Sequence, residues 1–309
     1  MPTGKSPRMS RRQLIAGGVA GAGTVAVAGC APDPFDGVQA DEIYAARIDT
    51  VPVDDPDAAN WGRTPEKTVV MGPQNIALPQ RLEPAVPSIK VRAVHDGRMV
   101  AFRIEWDDAE ADDLTVRVDD FRDACAVLLA GGSGDIALRT MGTATTPATL
   151  LHWKADWQRD LDQGVQGVAA VYPNVSVDVY PPLWDSQPGE VDVATYERAG
   201  ATEWLPGVHV GNPTSAPTRS SAVEKIVAYG FSTSTTAGHQ DARGRGVRHG
   251  AGWRVVIAKP LTPTEESEHR LVAGGSTATC AFAVWSGAAG DAGSRKTPSA
   301  GVYRLVLEA

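Results

Sequence analysis

The sequence predicts an all-β chain, a β-sandwich with a few short helices and long loops. Three observations predict it: apolar runs of strand length recur along the chain, Gly, Pro, Ser and Asn punctuate them, and only two stretches carry a helical pattern. The charged and apolar fractions, 21% and 42%, are those of an ordinary globular protein able to bury a core.

Residues 89–94 alternate apolar and polar side chains, His95-Asp96-Gly97-Arg98 intervenes, and residues 99–106 continue the pattern. Asp-Gly between two such runs is a strong hairpin signal. The acidic run over residues 107–113 then reads as a solvated turn. Further strands are expected at residues 124–129, 136–138, 149–153, 223–229, 253–258, 277–285 and 302–307, with helices at 155–164 and 191–199. Residues 164–219 form a long Pro- and Gly-punctuated stretch, of a kind uncommon in compact domains unless it covers a ligand or a partner. There is no internal repeat.

The first 29 residues read as an export signal. Ser10-Arg11-Arg12-Gln13-Leu14-Ile15 is a twin-arginine pattern around Arg11 and Arg12, followed by a weakly apolar Gly/Ala-rich stretch ending at Val27-Ala28-Gly29-Cys30. That stretch is too short and glycine-rich for a membrane span. Cys30 resembles the lipid-modified cysteine of a lipobox, where a thioether-linked lipid and an acylated amine would give two-signal anchoring. Plain cleavage near Ala28 is the alternative. The expected organisation is a signal peptide at 1–29, a flexible Pro/Asp/Ala-rich linker at 30–60, and a folded domain at 61–309. The expected location is the periplasm or the outer face of the cytoplasmic membrane.

Four of the 29 basic residues and none of the 37 acids precede Cys30, so the exported chain carries 25 basic against 37 acidic residues, a net charge of −12. Such a surface repels phosphate backbones and excludes nucleic acid as a partner. Cys125 and Cys280 each lie in an apolar strand-like run, either as buried free thiols or as a disulfide. The absence of Cys-x-x-Cys-His excludes covalent c-type haem.

Enzyme motifs are missing: no Gly-x-Ser-x-Gly, His-Glu-x-x-His or Gly-rich phosphate loop occurs, and the acidic run lacks calcium-loop spacing. The six histidines are scattered without metal-ligand spacing. By itself Met141, at a strand-to-loop corner before Gly142, reads as core filling. Lys296, in a Gly/Ser/Pro-rich loop, reads as solvated. Trp153, Trp157 and Trp285 read as core aromatics or as walls of a cofactor site.

Several stretches, taken together, resemble a known family. They are Gln80-Arg81-Leu82-Glu83-Pro84, residues 94–106, Met141-Gly142 with His152-Trp153-Lys154-Ala155-Asp156-Trp157, Val223-Glu224 followed by Gly230-Phe231, residues 252–257, and residues 281–285 with Lys296-Thr297-Pro298-Ser299. Over about residues 70–309 the chain resembles the ethylbenzene dehydrogenase-related haem b subunits. These are the gamma subunits of the type II branch of the dimethyl sulfoxide reductase family, which includes ethylbenzene, dimethylsulfide, chlorate and selenate enzymes.

The resemblance implies a DOMON-like β-sandwich holding one non-covalent haem b between a methionine and a lysine. Met141 fits the methionine of the Met-Gly motif, and Lys296 fits the lysine before a small-hydroxyl turn. Lys259 is the competing candidate, as axial ligand or as partner of a haem propionate. It shares strand parity with Trp253, Val255 and Ile257, and on such an apolar face an ammonium needs a partner. An amine binds iron only when deprotonated, so a dry pocket is part of the implied chemistry. With both axial positions filled and thioether ligation favouring the reduced state, the implied role is a non-catalytic electron relay.

The implied partners are an iron-sulfur beta subunit and a molybdopterin alpha subunit, with the membrane reached through the lipid anchor. The chain departs from the family in three places: it has a lipobox of its own, it carries Lys259 where arginine is usual, and residues 164–219 are long. A lipid-anchored β-sandwich that binds a small ligand or carbohydrate without haem is the alternative reading, and the Met141 and Lys296 pair is what distinguishes the two.

Overall fold

Short runs rich in β-branched and small apolar residues make the strands, and turn residues end them. In chain order these are β1 (Glu42–Arg47), β2 (Lys67–Val70), β3 (Ser88–His95), β4 (Met99–Asp107), β5 (Ala124–Gly131), β6 (Ala148–Lys154), β7 (Val223–Ala228), β8 (Thr235–Thr236), β9 (Arg243–His249), β10 (Gly252–Pro260), β11 (Ala278–Trp285), β12 (Thr297–Pro298) and β13 (Tyr303–Leu307). The computed structural model describes residues 38–309 apart from 133–138, 176–178, 182, 186–192, 217 and 275–277. The predicted strand at 136–138, Cys30, Arg11 and Arg12 lie outside the described residues.

The strands hydrogen-bond in the order β8-β7-β6-β5-β11-β13-β1-β3-β4-β10-β9, with β12 on β11 and β2 on β3. This sheet folds over on itself. Side chains of β5, β6, β7 and β11 meet those of β3, β4 and β10 in one core, with Leu151, Val127 and Phe282 on one side and Val91, Ile104 and Ile257 on the other. Trp153 of β6 packs edge-on against Trp253 of β10 at 5.1 Å and Trp106 of β4 at 6.3 Å. The all-β class read from the sequence is the observed one.

Beside this core Asp123 accepts from Trp253 Nε1, Gly287 N and Asp112 N, each at 2.9 Å. Burial nevertheless pushes its carboxyl up to about 6. Between the unfolded value near 3.8 and about 6 the folded state holds more protons than the unfolded state, so this group's contribution to stability falls as pH rises through that window. Chemical denaturation from pH 4 to 7 is expected to show that decline, and Asp123→Asn is expected to flatten it. A slope unchanged by the substitution would assign the effect elsewhere.

One expectation is corrected, and two open readings become specific. The linker expected at 30–60 contains β1, which lies inside the sheet, parallel to β13 on one side and β3 on the other. Ile43 and Ala45 enter the core while Ala46 is buried on the other face, a two-sided burial that the surrounding Pro/Asp-rich composition conceals. The stretch 164–219 carries short helices at Val168–Val171, Val193–Arg198 and Pro206–His209, the second of them within the helix expected at 191–199. Its ends are held at α1 (Ala155–Gln163), where Arg219 pairs with Asp160 at 3.2 Å and its guanidinium lies 4.1 Å from the Trp157 ring. Of the two readings left open for Cys125 and Cys280, the buried free thiols are the observed one. Cys125 pairs with Val284 and Cys280 with Leu129, a four-residue offset of about 13 Å that no disulfide spans.

No helix among the described residues is long and apolar enough to cross a membrane.

Candidate functional site

The strands β5, β6, β7 and β11 are buried on both faces. Their inner face carries Cys125, Val127, Leu151, Val223 and Val284 into the core. By the two-residue period of a strand, the outer face carries Ala126, Leu128, Leu150, Ile226, Ala281 and Ala283. Three of those six are alanines, so the floor projects little bulk and leaves room beneath the loops above it. A cavity of about 810 Å³ remains between this floor and residues 73–77, 231–234 and 293–302. That is within the range of ligand and cofactor pockets, roughly 300–1,000 Å³.

Met141 enters from one end of the floor. It adopts φ 61°, the left-handed region, and Gly142 follows at φ 86°. A Cβ on Gly142 would fall 2.1 Å from Ala228 O and 2.9 Å from Ala148 N, so only glycine lets the corner sit against both β6 and β7. Met141 O accepts from Gly230 N at 2.9 Å. A non-glycine residue held left-handed stores about 1–3 kcal/mol, sustained only where its surroundings fix it.

Lys296 enters from the other end. The pairing of Thr297 with Val284 places it beside Trp285, whose Nε1 donates to Gly293 O at 3.0 Å. Its Nζ lies 5.7 Å from the Trp285 ring and donates to Met141 Sδ at 3.4 Å. The two residues, 155 apart in sequence, meet above one sheet face. Desolvation pushes the Lys296 amine below the ordinary lysine value, and no ion pair offsets this among the described residues.

Between those ends His152 lines the floor, tilted against Trp285 at 4.5 Å. Its Nε2 is buried with no hydrogen-bond partner among the described residues. Burial holds the imidazole well below its ordinary pKa, with Lys154, Arg122 and Lys296 adding to the shift. Arg139 stands at the exposed rim.

Lys259 is elsewhere. Its inward parity is as the strand pattern suggests, but its Nζ pairs with Glu268 Oε2 at 3.1 Å and donates to Pro260 O at 2.7 Å. Glu268 Oε1 also holds the wholly buried Lys225 at 2.6 Å, and Asp241 takes the same lysine at 2.6 Å. The ammonium that needed a partner has one in this ion cluster, and Lys259 does not line the cavity. Of the three tryptophans, Trp153 is core, Trp157 lies against Lys154 and Arg219, and Trp285 alone lines the cavity wall.

Sequence reasoning missed His152 and Arg139. Period two from Leu150 places His152 on the outer face of β6, yet nothing in the sequence marks that face as covered. Among the described residues no cluster of three or more His, Cys, Asp or Glu side chains could hold a metal ion. The donors at the cavity are a thioether, an amine of lowered basicity and a neutral imidazole, a soft nitrogen and sulfur set suited to a transition-metal centre and not to calcium or magnesium.

The sequence pattern of the family described as ethylbenzene dehydrogenase matches residues 58–297. Over 62 residues the chain is 40% identical to chlorate reductase subunit gamma of Ideonella dechloratans, a match covering 20% of this chain and 26% of that subunit. The chain thus spans about a quarter of the length of the curated relative it matches. A carbohydrate binding module of family 9 from Caldicellulosiruptor kristjanssonii in complex with glucose superposes with a TM-score of 0.37 at 11% identity, over 86% of this chain and 95% of that one. The same module in complex with cellotriose gives 0.37 at 10% identity, over 86% and 93%. Superpositions this loose bear on neither ligand nor mechanism.

Proposed function

The chain belongs to the ethylbenzene dehydrogenase family, and from that premise we propose that it is the haem b electron-transfer subunit of an exported molybdopterin oxidoreductase complex. The observation that carries this reading is the meeting of Lys296 Nζ and Met141 Sδ, 3.4 Å apart inside an apolar cavity. The residues present fit the group: the floor is apolar and alanine-lined, the donors are those a low-spin iron takes, and the orphaned His152 Nε2 lies within the same walls.

Bound haem b supplies one-electron redox chemistry at its iron. Met141 and Lys296 would hold that iron through a thioether sulfur and an amine nitrogen. Desolvation by Trp285 and the overlying loops keeps Lys296 able to present a lone pair, because a solvated ammonium has none. The left-handed backbone of Met141, pinned through Gly142 and Gly230, fixes the point from which its side chain enters the cavity. Apolar walls exclude water, which limits side reactions and tunes the potential. Arg139 at the rim offers a cation to an acidic edge of the bound group.

In this reading electrons pass between an iron-sulfur subunit and an external carrier, the molybdopterin subunit carries out the catalysis, and a lipid on Cys30 keeps the exported chain at the membrane. The test is direct. The protein purified after expression with ample haem is expected to show a Soret band, and Met141→Ala and Lys296→Ala are each expected to change the axial signature and lower haem occupancy. Met141→Ala is also expected to lower the reduction potential, since thioether ligation raises it. A protein without a Soret band would leave the haem-free ligand-binding module as the better account.

A further inference from the structure

The cavity contains a nitrogen that neither axial position uses. His152 follows Leu150 by two residues on the floor, set between Ala126 of β5 and Glu224 of β7. Its buried Nε2 has no partner among the described residues, and an orphan of this kind in a folded interior calls for a group that satisfies it. The charged groups acting on the ring are the cations Lys154, Arg122 and Lys296. The carboxylate across the strand, Glu224, is taken by Lys154 and Thr236. A neutral imidazole carries one N–H and one bare nitrogen, and among the described residues no carboxylate is among the groups acting on the ring.

A donor that shares this ring's surroundings is the Lys296 amine, which acts electrostatically on the imidazole. His152 and Lys296 pack on the same indole, the ring of Trp285, at 4.5 Å and 5.7 Å. A lysine that gives its lone pair to a metal keeps two N–H bonds, and in an apolar cavity these need acceptors. Resting on the haem reading above, we propose that His152 is a positioning residue for Lys296: its bare ring nitrogen accepts a hydrogen bond from the ligating amine and aims the amine lone pair into the cavity. Lysine has four side-chain torsions, and the neighbouring indole offers only a flat surface, so a directional acceptor restricts the amine to one orientation. Partners of this kind behind a metal ligand commonly change metal affinity by about ten- to a hundredfold.

Haem titrated into the full-length haem-free protein tests this, with binding followed by absorbance and the axial signature by electron paramagnetic resonance. His152→Phe keeps a flat ring on Trp285 and removes the acceptor. It is expected to weaken haem about ten- to a hundredfold and to mix the axial signature. His152→Gln, which restores an acceptor, is expected to recover most of the loss. In a Lys296→Ala background His152→Phe is expected to have no further effect, as a residue acting through Lys296 requires. Wild-type affinity and signature in His152→Phe, or an equal loss with Lys296 already removed, would overturn the proposal. If His152→Phe does not fold, His152→Gln decides alone: a retained signature supports the acceptor role and a lost one overturns it. A wild-type chain that binds no haem removes the underlying reading, an outcome separate from a lysine–methionine signature that His152→Phe leaves untouched.

Discussion

Replacing Glu268 by alanine is expected to destabilise the fold by about 3–5 kcal/mol, the cost of removing one partner from a buried ion pair. Glu268 lies between two lysines that water does not reach, Lys225 at 2.6 Å and Lys259 at 3.1 Å. Without it, Lys259 keeps only the carbonyl of Pro260, and Lys225 keeps Asp241 and Thr264. Glu268→Gln preserves the volume and some hydrogen bonding but leaves the two ammonium charges only Asp241 in direct contact among the described residues, with Glu265 acting on Lys225 from farther away, so most of the loss is expected to remain. Urea denaturation measures both variants. A change under about 1 kcal/mol would mean that the two lysines find other acceptors. Because the cluster lies away from the cavity, the axial signature of bound haem is expected to survive in whatever fraction of the variant folds.

Gly142→Ala is expected to act on stability and site together. The new methyl group would sit 2.1 Å from the backbone oxygen of Ala228, at φ 86°, where L side chains are strained. Neither the oxygen nor the φ can yield without parting β7 from the corner, so a loss of about 3 kcal/mol or more is expected. The corner carries Met141, and its displacement is expected to remove the thioether signature even in protein that still folds. Thermal unfolding and the visible spectrum of the same sample separate the two effects. Normal stability with a normal spectrum would show that the corner tolerates a side chain.

Strands with a local signature were legible from the sequence. Asp96-Gly97 announced the β3–β4 hairpin, and the apolar runs behind β5, β6, β7, β10 and β11 were found within a few residues of their observed ends. β9 was not legible, because Gly244 and Gly246 make Arg243–His249 read as turn. A Cβ at Gly244 would meet Val256 O at 2.1 Å, and one at Gly246 would meet the Trp153 ring at 2.2 Å, so these glycines serve close packing and not bending.

The site was half legible. Met141 and Lys296 came from family resemblance, since alone each had an ordinary explanation, and the structure brings them together. Parity correctly turned Lys259 inward, but its partner Glu268 lies on a different segment and periodicity carries no information about it. The cavity was invisible for a related reason: alternation is lost when both faces of a strand are buried, so the alanines of the floor read as generic core.

The place of β1 bears on when this protein can become whole. Glu42–Arg47 pairs with residues 93–95 and with the closing strand at 304–307, so the first strand and the last complete one another across some 260 positions. Contacts this distant form late and slowly, because a large loop must be closed before they return any free energy. A nascent chain therefore lacks its central seam until residues 304–307 have been made. Truncation at the C-terminus would expose two strand edges in the middle of the sheet, and a protease has in that seam a simple way to tell finished molecules from unfinished ones.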